Sequence, residues 1–193
     1  MSKKIVLGTL FPEDLNLNGD QANLEILKKR LAWSGMSCEI RKVTPGNYGK
    51  VDLLFLGHGS IAAWKSIETD HPGIFKDLAK YVTGGGSLFA VSSGATKVLG
   101  ELGQVVNRVR HRSEFVSAKG IVGYLNTDAD IEPITRVKNS VFTLLHGPVL
   151  AKNPVFADEL CIEFCWINQR PSGEVVSKVD ELAAVSRKTA FEN

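Results

Sequence analysis

Short apolar runs bounded by turn residues recur through the first half of the chain: Ile5 to Leu10, Cys38 to Val43, Val51 to Leu56 and Ser87 to Val91. Their length and composition predict buried strands. Between the first two, Gln21 to Trp33 carries Leu24, Leu27 and Leu31 on one helical face, with Lys28, Lys29 and Arg30 near the other. Asp20 is placed to cap that helix. Between the third and fourth runs, Pro72 to Val82 has Ile74, Leu78 and Tyr81 or Val82 at helical spacing, and Gly84-Gly85-Gly86 ends it. Strands alternating with helices predict an α/β fold with a mostly parallel sheet flanked by helices, because parallel strands need a crossover and helices supply it.

From Val105 to Leu145 the pattern changes to short pieces rich in Val, Ile, Phe and Thr. Ile121 to Leu125 and Val141 to Leu145 read as further strands, and the sheet is expected to gain antiparallel edge strands there. Asn153 and Pro154 open a helix through Phe156, Leu160 and Phe164, with Asn153 as cap and Pro154 at the first helical position. A polar break at Gln169 to Gly173 precedes a last helix near Ser177 to Ser186. The chain has 193 residues, 44% hydrophobic and 23% charged, which suits one substantial core, so a single domain over 1–193 is expected.

The formal charge of +2 gives no basis for a nucleic-acid or membrane-surface role. Met1 to Leu10 has a basic start and an apolar run, but Gly8 and Thr9 interrupt it and Glu13 and Asp14 follow, so a first buried strand is expected rather than a signal peptide. No stretch approaches the length that crosses a bilayer, and a cytoplasmic location is expected. The three cysteines, Cys38, Cys161 and Cys165, form no paired framework, which suits a reducing compartment. Cys161 and Cys165 could share a helix face, but no His or further Cys stands near them at ligand spacing, so buried packing is expected. Neither a metal nor a cofactor is expected.

Three segments could carry chemistry. Leu88 to Thr96 is an apolar strand running into Ser92-Ser93-Gly94, the spacing of an elbow that presents a nucleophile at the start of a helix. The same residues also suit a plain strand-to-helix turn with Ser92 or Ser93 as its cap. Leu53 to Ser60 is a strand followed by Gly57-His58-Gly59, whose backbone amides could approach a substrate oxygen; Gly after a parallel strand is also common without function. Phe142 to Leu150 delivers His146 to a Gly-Pro turn, where it could act as general base or serve a structural role.

Taken together, these segments resemble the class I (triad-type) glutamine amidotransferases of the cobyric acid synthase kind, particularly the small stand-alone subunits that amidate lipid II with a Mur-ligase-like partner. Phe11 to Asn23 is similar to the family's pattern of pro, acid, leu-asn, gly-asp and asn before a basic helix, which Lys28 to Gly35 continues. Leu145 to Pro154 is similar to the stretch that contains the family's catalytic histidine, which falls on His146. Ala90 to Thr96 resembles ala-val-cys-ala-gly-phe-gln, placing Ser92 on the nucleophilic cysteine, while anchoring on Leu99-Gly100 places Ser93 there. Gly57-His58-Gly59-Ser60 stands where the family has glycines followed by glutamine, and Gly123 to Thr127 resembles gly-phe-glu-asn-his with Glu and His lost.

The resemblance implies a flavodoxin-like sheet of the class I amidotransferase type, with Ser92 and His146 in catalytic positions and Gly57, His58, Gly59 and Gly94 around the oxyanion and substrate. It implies a synthetase or Mur-ligase-like partner, with glutamine or a related small molecule as ligand. A hydroxyl needs much stronger base assistance than a thiol, whose ordinary pKa is about 8.5, so weakened glutaminase activity is expected. Three functions follow: an impaired amidotransferase domain acting through a partner, a working Ser-His amidohydrolase, or a glutaminase using another residue. Cobalamin biosynthesis is an alternative pathway. Pro148 stands where other triad amidotransferases often place the carboxylate that orients the histidine, so the sequence offers no orienting partner.

Overall fold

The computed structural model describes residues 4–104 and 107–192. Met1 to Lys3, and Val105 where the β-rich stretch is read to begin, lie outside the described residues. The apolar runs form β1 (Ile5–Leu10), β2 (Cys38–Lys42), β3 (Leu53–Leu56) and β4 (Leu88–Val91). Strands β3 and β4 are buried at every position, as continuous apolar runs require in a sheet covered on both faces. Helix α1 (Ala22–Trp33) crosses between β1 and β2; α2 (Ile61–Asp70) and α3 (Ile74–Thr83) follow β3, and α4 (Ser93–Glu101) follows β4.

The β-rich stretch supplies β5 (Arg108–Ala118), β6 (Ile121–Ala129), β7 (Ile134–Val137), β8 (Ser140–Thr143) and β9 (Leu145–His146). Among the described residues the main sheet has the order β2-β1-β3-β4-β8-β7, parallel except for the β7–β8 hairpin at its edge. The expected antiparallel edge is therefore present as β7. Strands β5, β6 and β9 form a separate antiparallel sheet that the apolar pattern does not reveal. Helices α5 (Val149–Lys152), α6 (Pro154–Glu163) and α7 (Glu174–Thr189) complete the chain. None of the helices is long and apolar enough to cross a membrane among the described residues. Cys161 is buried in the core and Cys165 is exposed.

Three polar residues do other work than their local sequence predicts. Arg30 is buried rather than on a polar face; its Nε donates to Asp158 Oδ1 at 2.7 Å and its Nη1 to Asp180 Oδ1 at 2.7 Å, joining α1 to α6 and α7. Asp20 does not cap α1, whose first flanking residue is Gln21 with no side-chain cap. Asn153 flanks α6, with Pro154 at its start, but its side chain caps nothing there: it accepts from Val122 N–H at 2.9 Å and donates to the Val122 and Val149 carbonyls. That pair of hydrogen bonds to Val122 ties β6 to the α5–α6 junction.

Candidate active site

Polar side chains converge beyond the carboxyl ends of β1, β3, β4 and β9, the end at which open α/β sheets generally bind ligands. Strand β4 stops at Val91, and Ser92 turns sharply with φ 49° and ψ −117° before α4 begins at Ser93. A positive φ at a residue with a side chain costs on the order of 1–3 kcal/mol and persists only where its surroundings hold it. The Ser92 N–H is held by the Thr143 carbonyl at 2.6 Å. Gly94 lets the first turn of α4 press on the loop after β3: a Cβ there would lie 2.6 Å from the Gly57 carbonyl oxygen. Gly57 is equally constrained, since its Cβ would lie 2.0 Å from the Leu15 oxygen.

Ser92 Oγ lies 2.8 Å from His146 Nε2. The same Nε2 is 3.0 Å from the Asn126 carbonyl oxygen, and His146 Nδ1 is 2.7 Å from Asn18 Nδ2. A carbonyl oxygen only accepts, so Nε2 carries the ring proton and shares it between Asn126 and Ser92. Nδ1 is then bare and accepts from the Asn18 amide. Burial holds the His146 pKa below its ordinary value, partly offset by the Asn126 carbonyl and by Asp20. The histidine therefore rests neutral, as the tautomer that donates to Ser92. Asn18 also corrects the expectation that the histidine lacks an orienting partner: the loop after β1 supplies it, not the position of Pro148.

Asp20 is fully buried beneath this arrangement. Its Oδ1 accepts the Gly147 N–H at 3.1 Å and its Oδ2 the His58 N–H at 3.4 Å, so one carboxylate holds both the histidine turn and the glycine loop. Burial raises its pKa against the pull of these N–H groups. Asn23 completes the clamp, donating to the Gly147 carbonyl at 3.1 Å and accepting from Leu150 N–H at 3.0 Å. The polar density of Asn16-Leu17-Asn18-Gly19-Asp20-Gln21-Ala22-Asn23 directly after a buried strand exceeds what a helix cap requires, and is the signal by which these residues could be found.

Ser93 Oγ does not share the His146 bond; it meets His58 Nδ1 at 2.7 Å, Trp64 Nε1 at 2.7 Å and Gly59 N at 3.3 Å. The His58 ring packs edge-on against His146, with centroids 4.7 Å apart. Burial, and then the neighbouring His146, push the His58 pKa down to about 4. A cleft of about 350 Å³ opens over the serines, lined by His58, Ser92, Ser93, Thr96, Asn126 and Thr127 among others. No cluster of three or more metal-ligating side chains occurs among the described residues.

No protein-family model and no curated protein sequence matches the chain. Solved structures do match. A glutamine amidotransferase from Thermotoga maritima aligns with a TM-score of 0.50 and 13% identity, covering 96% of this chain and 93% of its own. A second crystal structure of a glutamine amidotransferase gives 0.50 and 17%, covering 82% of this chain and 98% of its own. DJ-1beta of Drosophila melanogaster gives 0.41 and 16%, covering 94% and 97%. At these identities the two amidotransferases show the fold: an α/β sheet of the class I glutamine amidotransferase type, mostly parallel and flanked by helices, with added antiparallel strands.

Proposed function

We propose that the chain is a glutamine amidotransferase-like domain whose Ser92-His146 site is catalytically quiet at rest, and that it acts through a synthetase or Mur-ligase-like partner, as its sequence resemblance implies. The observation that carries this reading is the shared proton on His146 Nε2. A general base for Ser92 needs a lone pair at the nitrogen facing the hydroxyl. Here that nitrogen is 3.0 Å from the Asn126 carbonyl and donates, so the histidine stabilises the serine oxygen and cannot take its proton. The hydroxyl is itself a poorer nucleophile than the thiol of the family that the sequence resembles. The pocket would still hold an amide such as that of glutamine, and the amidated acceptor would belong to the partner. Lipid II amidation and cobalamin synthesis are the two pathways the resemblance offers for that partner.

Ammonia release from glutamine by the purified chain, beside Ser92→Cys and His146→Ala, tests the reading. Silence of the native chain together with release by Ser92→Cys, whose thiol is partly ionised near neutrality without the histidine as base, supports it. Release by the native chain that His146→Ala abolishes sinks it. A second reading, a Ser-His amidohydrolase, is favoured by the 2.8 Å contact and by the positive φ of Ser92. It requires Ser92 to be labelled by a serine-directed phosphonate at a rate that His146→Ala removes.

A further inference from the structure

We propose that Gly59 N–H and Trp64 Nε1–H form a site for a carbonyl or carboxylate oxygen beside Ser92, and that the Ser93 hydroxyl occupies this site in the resting chain. The inference rests on the elbow placement of Ser92 but not on whether Ser92 reacts.

A hydroxyl has one proton to donate and two lone pairs. The Trp64 indole can only donate, and it reaches Ser93 Oγ at 2.7 Å from helix α2. The Gly59 N–H also can only donate, and reaches the same oxygen at 3.3 Å from the loop after β3. Both lone pairs of Ser93 are thereby engaged. Its proton goes to His58 Nδ1 at 2.7 Å, with the Gly59 carbonyl at 3.3 Å as the weaker alternative acceptor. His58 can accept because its pKa is pushed down to about 4, leaving the ring neutral near pH 7. The Ser93 hydroxyl has no hydrogen-bonding capacity left over.

Two N–H donors from separate elements meeting on one oxygen are what a developing or resting negative oxygen needs. Here the oxygen belongs to the chain itself. The site also lies where a ligand could enter. Ser93, His58 and Thr96 line both the 350 Å³ cleft over Ser92 and a neighbouring cleft of about 680 Å³ that contains Trp64, Lys65 and Lys97. Ser93 is thus part of the wall between the two clefts. Removing its hydroxyl leaves the donors in place and vacates the space between them. Trp64 is 4% exposed and held edge-on against Phe75 at 5.5 Å between centroids, so its N–H stays aimed at the same point. In these terms Ser93 closes the site, and Trp64 is one of the two residues that would bind the ligand oxygen.

The test is a titration with acetate, the smallest stable carboxylate probe, followed by the indole N–H resonance of Trp64 and the amide resonance of Gly59. Ser93→Ala is expected to show saturable shifts of both resonances at concentrations at least 10-fold below any seen in the native chain. Ser93→Thr, which keeps the hydroxyl, should behave as the native chain does. Adding Trp64→Phe to Ser93→Ala should weaken the Gly59 shift about 10-fold. Equal response of native chain and Ser93→Ala, or a folded Ser93→Ala with no saturable shift at either resonance, overturns the inference. If Ser93→Ala fails to fold, Ser93→Gly carries the same expectation. None of these readouts needs turnover, so a silent Ser92 and a failed oxygen site give different results.

Discussion

The side-chain amide of Asn18 donates to His146 Nδ1 across 2.7 Å, joining residues 128 positions apart in the chain. The bond fixes more than the orientation of the ring. With Nδ1 accepting, the proton sits on Nε2, where Asn126 and Ser92 share it. A carboxylate at position 18 can only accept, and would draw the proton to Nδ1 and free the Nε2 lone pair for Ser92. Asn18→Asp is therefore expected to raise the rate of Ser92 labelling by a phosphonate at least 10-fold at pH 7. Asn18→Ala, which loses the orienting group without supplying an acceptor, should give no rise. Equal rates for the native chain and Asn18→Asp would show that the tautomer does not limit the serine.

Asp20 joins the loop that carries His58 to the turn that follows His146. Asp20→Ala would leave the His58 and Gly147 N–H groups without their acceptor. An unsatisfied buried donor costs about 1–3 kcal/mol. The expected loss is within that range and comes mainly from the buried Gly147 N–H, because the second bond, at 3.4 Å, is weaker. Asp20→Asn keeps one accepting oxygen and is expected to lose less than Asp20→Ala. Urea unfolding of the two variants beside the native chain measures the difference, and equal midpoints would contradict this role for the carboxylate.

Much of the sheet is legible in the sequence because β3 and β4 are buried at every position and read as continuous apolar runs, and β1 is buried at all but Val6. Strand β5 is not legible, since most of its positions are exposed and Arg108, Arg110, His111 and Arg112 break any apolar pattern. Helix α2 escapes for a related reason: only Trp64 and Ile67 are buried, too few to mark a helical face. At the candidate site, Ser92, His146 and the glycine loop are visible as motifs at strand ends. The segments around Asn18 and Asn126 are visible in the same way, but the bonds these two residues make to the imidazole are not. Their contributions depend on which atoms of the loop after β1 and of strand β6 face the imidazole on β9, and the Asn126 contribution is a backbone atom that any residue would supply. Arg30 shows the same limit, because its burial is set by Asp158 on a helix more than a hundred residues away.

That Arg30–Asp158 contact is also the clearest stability device outside the site. Both side chains are almost fully buried, Arg170 Nε adds a bond of 2.8 Å to Asp158, and Asp180 bridges the two arginines. Removing one member of a buried pair strands the other charge and typically costs about 3–5 kcal/mol. Asp158→Ala is expected to fall at the lower end of that range by chemical denaturation, because Arg30 keeps its bond to Asp180. The double change Arg30→Met with Asp158→Leu removes both charges and should cost less than Asp158→Ala alone. If the double variant is the less stable of the two, the energy resides in the ion pair itself and not in the penalty for an unpaired buried charge.

The two site histidines make stability depend on pH with a definite sign. Burial lowers the pKa of His58 to about 4 and also lowers that of His146, from an ordinary value of 6.5. A depressed pKa means that the unfolded chain binds protons first as the solution is acidified. The contribution of His58 is therefore fully present above about pH 6.5 and is lost progressively down to about pH 4, where the folded ring also protonates. Asp20 acts in the opposite direction: its raised pKa favours the folded state at low pH and withdraws that support as the carboxyl ionises on the way up. The histidine effect is separated from the carboxyl effect by His58→Gln, which removes the titration and leaves Asp20 in place. The melting temperature of the native chain is expected to fall more steeply between pH 6.5 and pH 4 than that of His58→Gln. Parallel curves across that window would mean that His58 protonates in the folded chain as readily as in the unfolded one, and that its contacts with Ser93 and His146 do not hold it neutral.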